Sequence, residues 1–282
     1  MKIIVLVLGL VSLALVDIAL GQQKNESKDI LFADDFESGK ADKWDLDESS
    51  VNNREQFQFV SDKENVAHGK RAVQFTVKPG GAQGVKLNKW LMPGYDQVFM
   101  RFYCKFDKNF DQGNHMHFVH LLANRLDNKW SAFGKAGIKP TGADFYTTGL
   151  EPWRNWGKHR APGTWGFYAY HMDMPIDPKM NKYWGELMHP NKPVVLERDK
   201  WFCMEVMVKA NTPGKKDGEQ AYWIDGKKMA HFKTIRWRTD PELKWNAFWL
   251  SLYIHHPTKM CRVWFDDLVI SRKYVGPLKP EG

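Results

Sequence analysis

The chain has 282 residues, 14% of them aromatic with 13 Trp, and carries a formal charge of +8. That positive balance favours an acidic partner, and with no nucleic-acid motif in view an anionic polysaccharide is expected rather than a nucleic acid. Cys104, Cys203 and Cys261 are an odd number without metal-site spacing, which limits the chain to at most one internal disulfide and leaves any pairing open.

At the N-terminus, Lys2, the apolar run from Ile3 to Val16 and the small residues around Ala19-Leu20-Gly21 predict a cleaved signal peptide over 1–21. The run falls short of the roughly 20 residues that span a bilayer, and no later segment reaches that length, so no membrane span is expected. A secreted or periplasmic monomer follows. Residues 22–282 read as one domain, because no repeat, low-complexity tract or Pro/Gly/Ser linker divides them.

Beyond a polar leader, short β-rich runs alternate with turn residues, the pattern of an all-β sandwich. The expected strands are Ile30 to Phe36, Gln56 to Val60, Ala72 to Val77, Gln83 to Leu87, Gln97 to Phe106, His115 to Leu122 and Asp144 to Leu150. Trp165 to Met172, Trp201 to Lys209, Gln220 to Ile224, Lys228 to Phe232, Ala247 to His255 and Cys261 to Ser271 complete the set. Lys78-Pro79-Gly80-Gly81 marks a turn, and Ile224-Asp225-Gly226-Lys227 a hairpin. The proline-rich stretch from His171 to Lys200 is too long for a turn and is a candidate lid.

Side chains two apart on a strand share a face, so His115 pairs with His117 and Tyr168 with Tyr170. In the run from Ala247 to His255, Phe248, Leu250, Leu252 and Ile254 form a core face, opposite Trp249, Ser251, Tyr253 and His255. Arg101, Tyr103 and Lys105 likewise oppose Met100, Phe102, Cys104 and Phe106. A sheet face rich in Trp, Tyr, His and Arg suggests a binding cleft more than an ordinary solvated surface.

The paired carboxylates of a glycoside hydrolase are missing; Asp266-Asp267 and Asp34-Asp35 are adjacent residues facing opposite ways and read as structural. His, Tyr, Arg and Lys suit β-elimination from a uronate polymer instead. That reaction needs a neutralised carboxylate, a base for the C5 proton and an acid for the departing C4 oxygen. Tyr168, Tyr170, His115 and His117 are the candidate proton-handling residues. Arg101, Tyr103, Lys105, Arg154, Trp249, Tyr253 and His255 are the candidate sugar-binding residues, and cations beside a tyrosine would favour its phenolate. A non-catalytic carbohydrate-binding protein would need the aromatic residues without the converging proton donors.

The order Phe102-Tyr103-Cys104-Lys105-Phe106-Asp107, Gly113-Asn114-His115-Met116-His117, Trp153-Arg154 and Tyr168-Ala169-Tyr170 resembles the alginate lyase and glucuronan lyase group, especially family 14. The resemblance implies a concanavalin A-like β-jelly roll of two antiparallel sheets and cofactor-free cleavage of uronate polymers. It places the family's Tyr-x-Tyr on Tyr168 and Tyr170, and its lysine on His115, where this chain departs from the pattern. The family's Ser-x-Arg has no clean counterpart, with Thr147, Thr148 and Arg154 nearby. His115-x-His117-x-x-His120 also resembles the metal-binding His-x-His of cupins. Strand parity turns His120 to the opposite face, so a metal would need a distant ligand such as His255, and none is expected.

Overall fold

The computed structural model describes residues 28–45, 56–81 and 83–278; the expected signal peptide lies outside them. In chain order the strands are β1 (Ile30–Asp34), β2 (Phe57–Val60), β3 (Ala72–Val77), β4 (Gln83–Tyr95) and β5 (Gln97–Phe106). There follow β6 (Met116–His117), β7 (Val119–Asn124), β8 (Phe145–Trp153), β9 (Thr164–Tyr170) and β10 (Glu186–Met188). The last five are β11 (Trp201–Lys209), β12 (Gly218–Ile224), β13 (Lys227–Ile235), β14 (Trp245–Ile254) and β15 (Cys261–Ser271).

They form two antiparallel sheets, a β-sandwich of jelly-roll type. One runs β13-β12-β11-β5-β15-β3-β2 with β1 on β15; the other runs β10-β9-β8-β7-β14-β4 with β6 on β14. Period-two alternation turns Met100, Phe102, Cys104 and Phe106 of the first sheet, and Phe248, Leu250, Leu252 and Ile254 of the second, into one shared core. Phe118 lies at its centre, 5.4 Å from Phe106, 5.2 Å from Phe265 and 5.5 Å from Trp165 between ring centroids. The three cysteines are buried and unpaired.

The expected hairpin joins β12 to β13. Asp225 (φ 49°) and Gly226 (φ 77°) both adopt the left-handed conformation that a two-residue primed turn requires. The acidic residues read as structural are so. Asp34 accepts hydrogen bonds from Trp44 Nε1 at 2.7 Å and Phe36 N at 3.1 Å, and Asp266 accepts from Ala67 N at 2.9 Å and His68 N at 3.2 Å.

One irregularity positions the site. Facing β14, His117 pairs with Tyr253, but His120 pairs with Trp249. Three residues on β6 and β7 thus span four on β14, and the break at Phe118 shifts the register by one. Such a shift reverses strand parity beyond it. His120 is therefore brought to the same face as His117, which corrects the expectation that it points the other way.

Candidate active site

Cross-strand partners share a face, and the outer face of the seven-stranded sheet collects the chemistry. Thr147, Gly149 and Glu151 of β8 stand opposite Tyr170, Tyr168 and Gly166 of β9. Thr147, Tyr168 and Tyr170 of this set, with Trp249, Ser251 and Tyr253 of β14, His255 just beyond it, and His115, His117 and His120, border a groove of about 670 Å³. Its walls come from two connections. Phe133 and Lys135 stand on one; Trp184 stands on the segment leading into β10.

Glu151 lies beneath the histidines with 2% of its side chain exposed. Its Oε1 is 2.7 Å from His115 Nε2 and its Oε2 is 3.1 Å from His117 Nδ1. Burial works against its ionisation, but His117 and His115 override it and hold the carboxyl at about 2. Burial likewise pulls His115 down, yet the charge and hydrogen bond of Glu151 leave it above the ordinary imidazole value. His120 goes the other way: burial, reinforced by the neighbouring His117 and His115, brings it to about 4 despite Glu151. Burial, then His117 and His115, also lower His255.

Above this cluster the Tyr168 and Tyr170 hydroxyls are 3.5 Å apart. The Tyr168 ring lies 5.4 Å from that of His115 and 5.6 Å from that of His117. Burial and the adjacent Tyr170 push the Tyr168 phenol well above its ordinary value, so it stays protonated at neutral pH. The Tyr170 hydroxyl accepts a hydrogen bond from Gly137 N at 3.4 Å. On the far side, Trp249 packs 4.9 Å from Phe133 and carries Lys86 Nζ over its face at 4.8 Å.

Tyr168, Tyr170, His115, His117, Trp249, Tyr253 and His255 therefore meet in one groove. Four other residues do not join them. Arg101, Tyr103 and Lys105 belong to β5 of the other sheet and face away from the groove. There Arg101 Nη1 donates to Asp267 O at 2.7 Å, the Tyr103 hydroxyl accepts from Leu278 N at 2.9 Å, and Lys105 Nζ donates to Glu64 O at 2.6 Å. Alternation shows which residues share a face but not which sheet that face belongs to. Arg154 sits just past β8, and its guanidinium is held by Asp111 at 2.7 Å, Gly113 O at 2.8 Å and His159 O at 3.1 Å. It braces the turn leading into His115 and does not line the groove. The tyrosines thus have no arginine beside them to favour a phenolate.

Glu151 is not among the residues expected from the sequence, because it stands alone and not in a carboxylate pair. Thr147-x-Gly149-x-Glu151 on a strand facing Tyr168 and Tyr170 was the available signal. Among the described residues, two groups bring metal-type donor atoms within 4.8 Å of one another: His115 with His117 and His255, and His117 with His120 and Glu151.

No protein-family model matches the chain, and no curated protein matches it in sequence. Solved structures do share its fold. The endo-β-1,4-glucuronan lyase of the fungus Trichoderma reesei superposes with a TM-score of 0.57 at 18% identity, covering 86% of this chain and 96% of that one. The marine PL-14 alginate lyase of Aplysia kurodai gives 0.57 at 15% identity over 79% and 88%. An alginate lyase from Chlorella virus gives 0.56 at 14% identity over 86% and 100%.

Proposed function

We propose that this protein is a secreted polysaccharide lyase that cleaves a uronate-containing polymer by β-elimination in the groove of the seven-stranded sheet. The observation that carries the reading is the packing of Tyr168, its hydroxyl 3.5 Å from that of Tyr170, against two histidines seated over the buried, ionised Glu151. The fold shared with glucuronan and alginate lyases supports it.

Elimination begins with the sugar carboxylate held against His115, which Glu151 helps to keep protonated, with His117 and His255 beside it. Neutralising that carboxylate acidifies the C5 proton. The Tyr170 hydroxyl oxygen takes the proton as its own O–H proton moves toward Tyr168. The C5–H electron pair forms the C4–C5 double bond, the C4–O bond breaks, and the Tyr168 phenol protonates the leaving oxygen. The transfer from Tyr170 to Tyr168 across their 3.5 Å separation restores both residues.

The test is incubation with glucuronan and with alginate, following the ultraviolet absorbance of the unsaturated product. Tyr170→Phe should lower turnover by about 10²- to 10⁴-fold, the range typical of a lost acid–base group, with the melting temperature unchanged. A fully active Tyr170→Phe protein would sink the assignment. Saturable polymer binding without any product would instead favour the carbohydrate-binding reading.

A further inference from the structure

We propose that His115, His117 and His255 form a three-histidine site for a divalent transition-metal ion, specifically Zn²⁺, with its fourth position open to the groove. Each of the three offers a ring nitrogen, and these lie within 4.8 Å of one another. Tetrahedral zinc with Zn–N bonds of about 2.0–2.1 Å places its nitrogens about 3.4 Å apart. Small side-chain rotations close that difference, and His255 is exposed enough to make them.

The independent observation is the arrangement behind the rings. A metal-ligating histidine needs its other nitrogen held by an acceptor that fixes tautomer and orientation, usually a carboxylate or a carbonyl. Here one buried carboxylate serves two ligands. Glu151 Oε1 engages His115 Nε2 at 2.7 Å and Oε2 engages His117 Nδ1 at 3.1 Å. With Nε2–H and Nδ1–H donating to Glu151, the lone pairs left to a ligand are on His115 Nδ1 and His117 Nε2. The rings are further located by Tyr253, stacked on His117 at 5.8 Å and 26°, and by Tyr168, edge-on to His115 at 5.4 Å. Glu151 also offsets part of the ion's charge.

The alternative group of His117, His120 and Glu151 is less suited. It would take Glu151 away from the two imidazoles it orients, and His120 Nδ1 already lies 3.4 Å from Ser251 Oγ. In the three-histidine site the open position suits an oxygen donor, and a uronate carboxylate is such a donor. With the ion bound His115 is a neutral ligand, so the ion would take the place of protonated His115 in neutralising that carboxylate; that role rests on the lyase reading, whereas binding of the ion does not.

Protein stripped with a chelator and titrated with ZnCl₂ in a calorimeter, without polysaccharide, should take up one equivalent. His255→Ala, a change at an exposed residue that circular dichroism should show to be folded, should abolish uptake. Glu151→Gln should weaken it by about 10- to 100-fold, the usual cost of losing a carboxylate behind a ligating histidine. Undetectable binding by the unmodified protein at millimolar ZnCl₂ overturns the proposal, as does binding that survives His255→Ala but is lost in His120→Ala. Stoichiometric, His255-dependent uptake in a protein that forms no unsaturated product would support the metal site and remove the lyase reading, so the two fail separately.

Discussion

Gly149 is the residue on which the histidine cluster depends for space. It faces His120 across the β7–β8 pairing, and a Cβ built on it would lie 3.0 Å from the His120 ring and 3.2 Å from Glu151 Oε2. Both neighbours are confined: His120 lies against Trp249 with Nδ1 3.4 Å from Ser251 Oγ, and Glu151 is engaged by two imidazoles. Gly149→Ala must therefore displace one of them by a few tenths of an ångström. The cost of overpacking a filled site is about 1 kcal/mol or more, and misplaced catalytic groups lose rate steeply. We expect turnover to fall on the order of tenfold, with a melting temperature lowered by a few degrees. Gly81→Ala, where an added Cβ meets nothing within 4 Å, is the control and should change neither. An unaltered Gly149→Ala enzyme would show that the cluster tolerates displacement and plays no part in turnover. The same crowding explains why His120 was illegible in the sequence. Its orientation depends on a register shift between strands more than 120 residues apart, which no local pattern encodes.

At the scale of elements, the segment that brings Trp184 to the groove is anchored by a strand of three residues. β10 pairs Glu186, Leu187 and Met188 with Ala169, Tyr168 and Phe167 of β9, and Gly185 lies so close to the Tyr168 ring that a Cβ there would meet it at 2.6 Å. The tie between the two strands is His171 Nε2, 2.7 Å from Glu186 Oε2. Burial lowers His171 below its ordinary value, although Glu186 and Asp173 act against it. Between that lowered value and 6.5 the unfolded chain binds more protons at this residue than the folded one does. Its contribution to stability is therefore complete above pH 6.5 and is lost as pH falls below it. The melting temperature should drop between pH 7.5 and 5.5, and His171→Gln should flatten the drop; an unchanged slope would place the titration elsewhere. β10 has no strand signal of its own, since its pairing is imposed by the edge of β9. Ala72–Val77, Gln97–Phe106, Trp201–Lys209 and Cys261–Ser271 match the expected strands end to end, because their alternating or continuous apolar runs carry the core. β4 runs on to Tyr95, well past the expected Leu87, because β14 pairs with it from Gln83 to Trp90 and, across an irregularity, again at Tyr95.

For the molecule as a whole, the +8 charge bears on the proposed substrate, an anionic polymer. A uronate chain carries a charge on each acidic unit, so it feels the field beyond the residues it touches. Two cations border the groove itself: Lys86 Nζ lies over Trp249 and Phe133 at 4.8 and 5.4 Å, and Lys135 Nζ lies over Phe145 at 5.7 Å. Each holds its charge over an aromatic ring at the groove, where the proposed polymer would pass. Screening shortens the reach of such charges from about 10 Å at 0.1 M salt to about 3 Å at 1 M. On the proposed lyase reading, KM for the polymer should therefore rise on the order of tenfold between low and half-molar salt, while kcat, which that reading assigns to Tyr168, Tyr170 and His115, should change little. The double variant Lys86→Gln with Lys135→Gln should begin with the raised KM and show a shallower salt dependence. Initial rates over a salt series decide the matter. A double variant whose kcat collapses at unchanged KM would place a lysine in the chemical step, and one with the parent's salt slope would move polymer recognition to charges outside the groove.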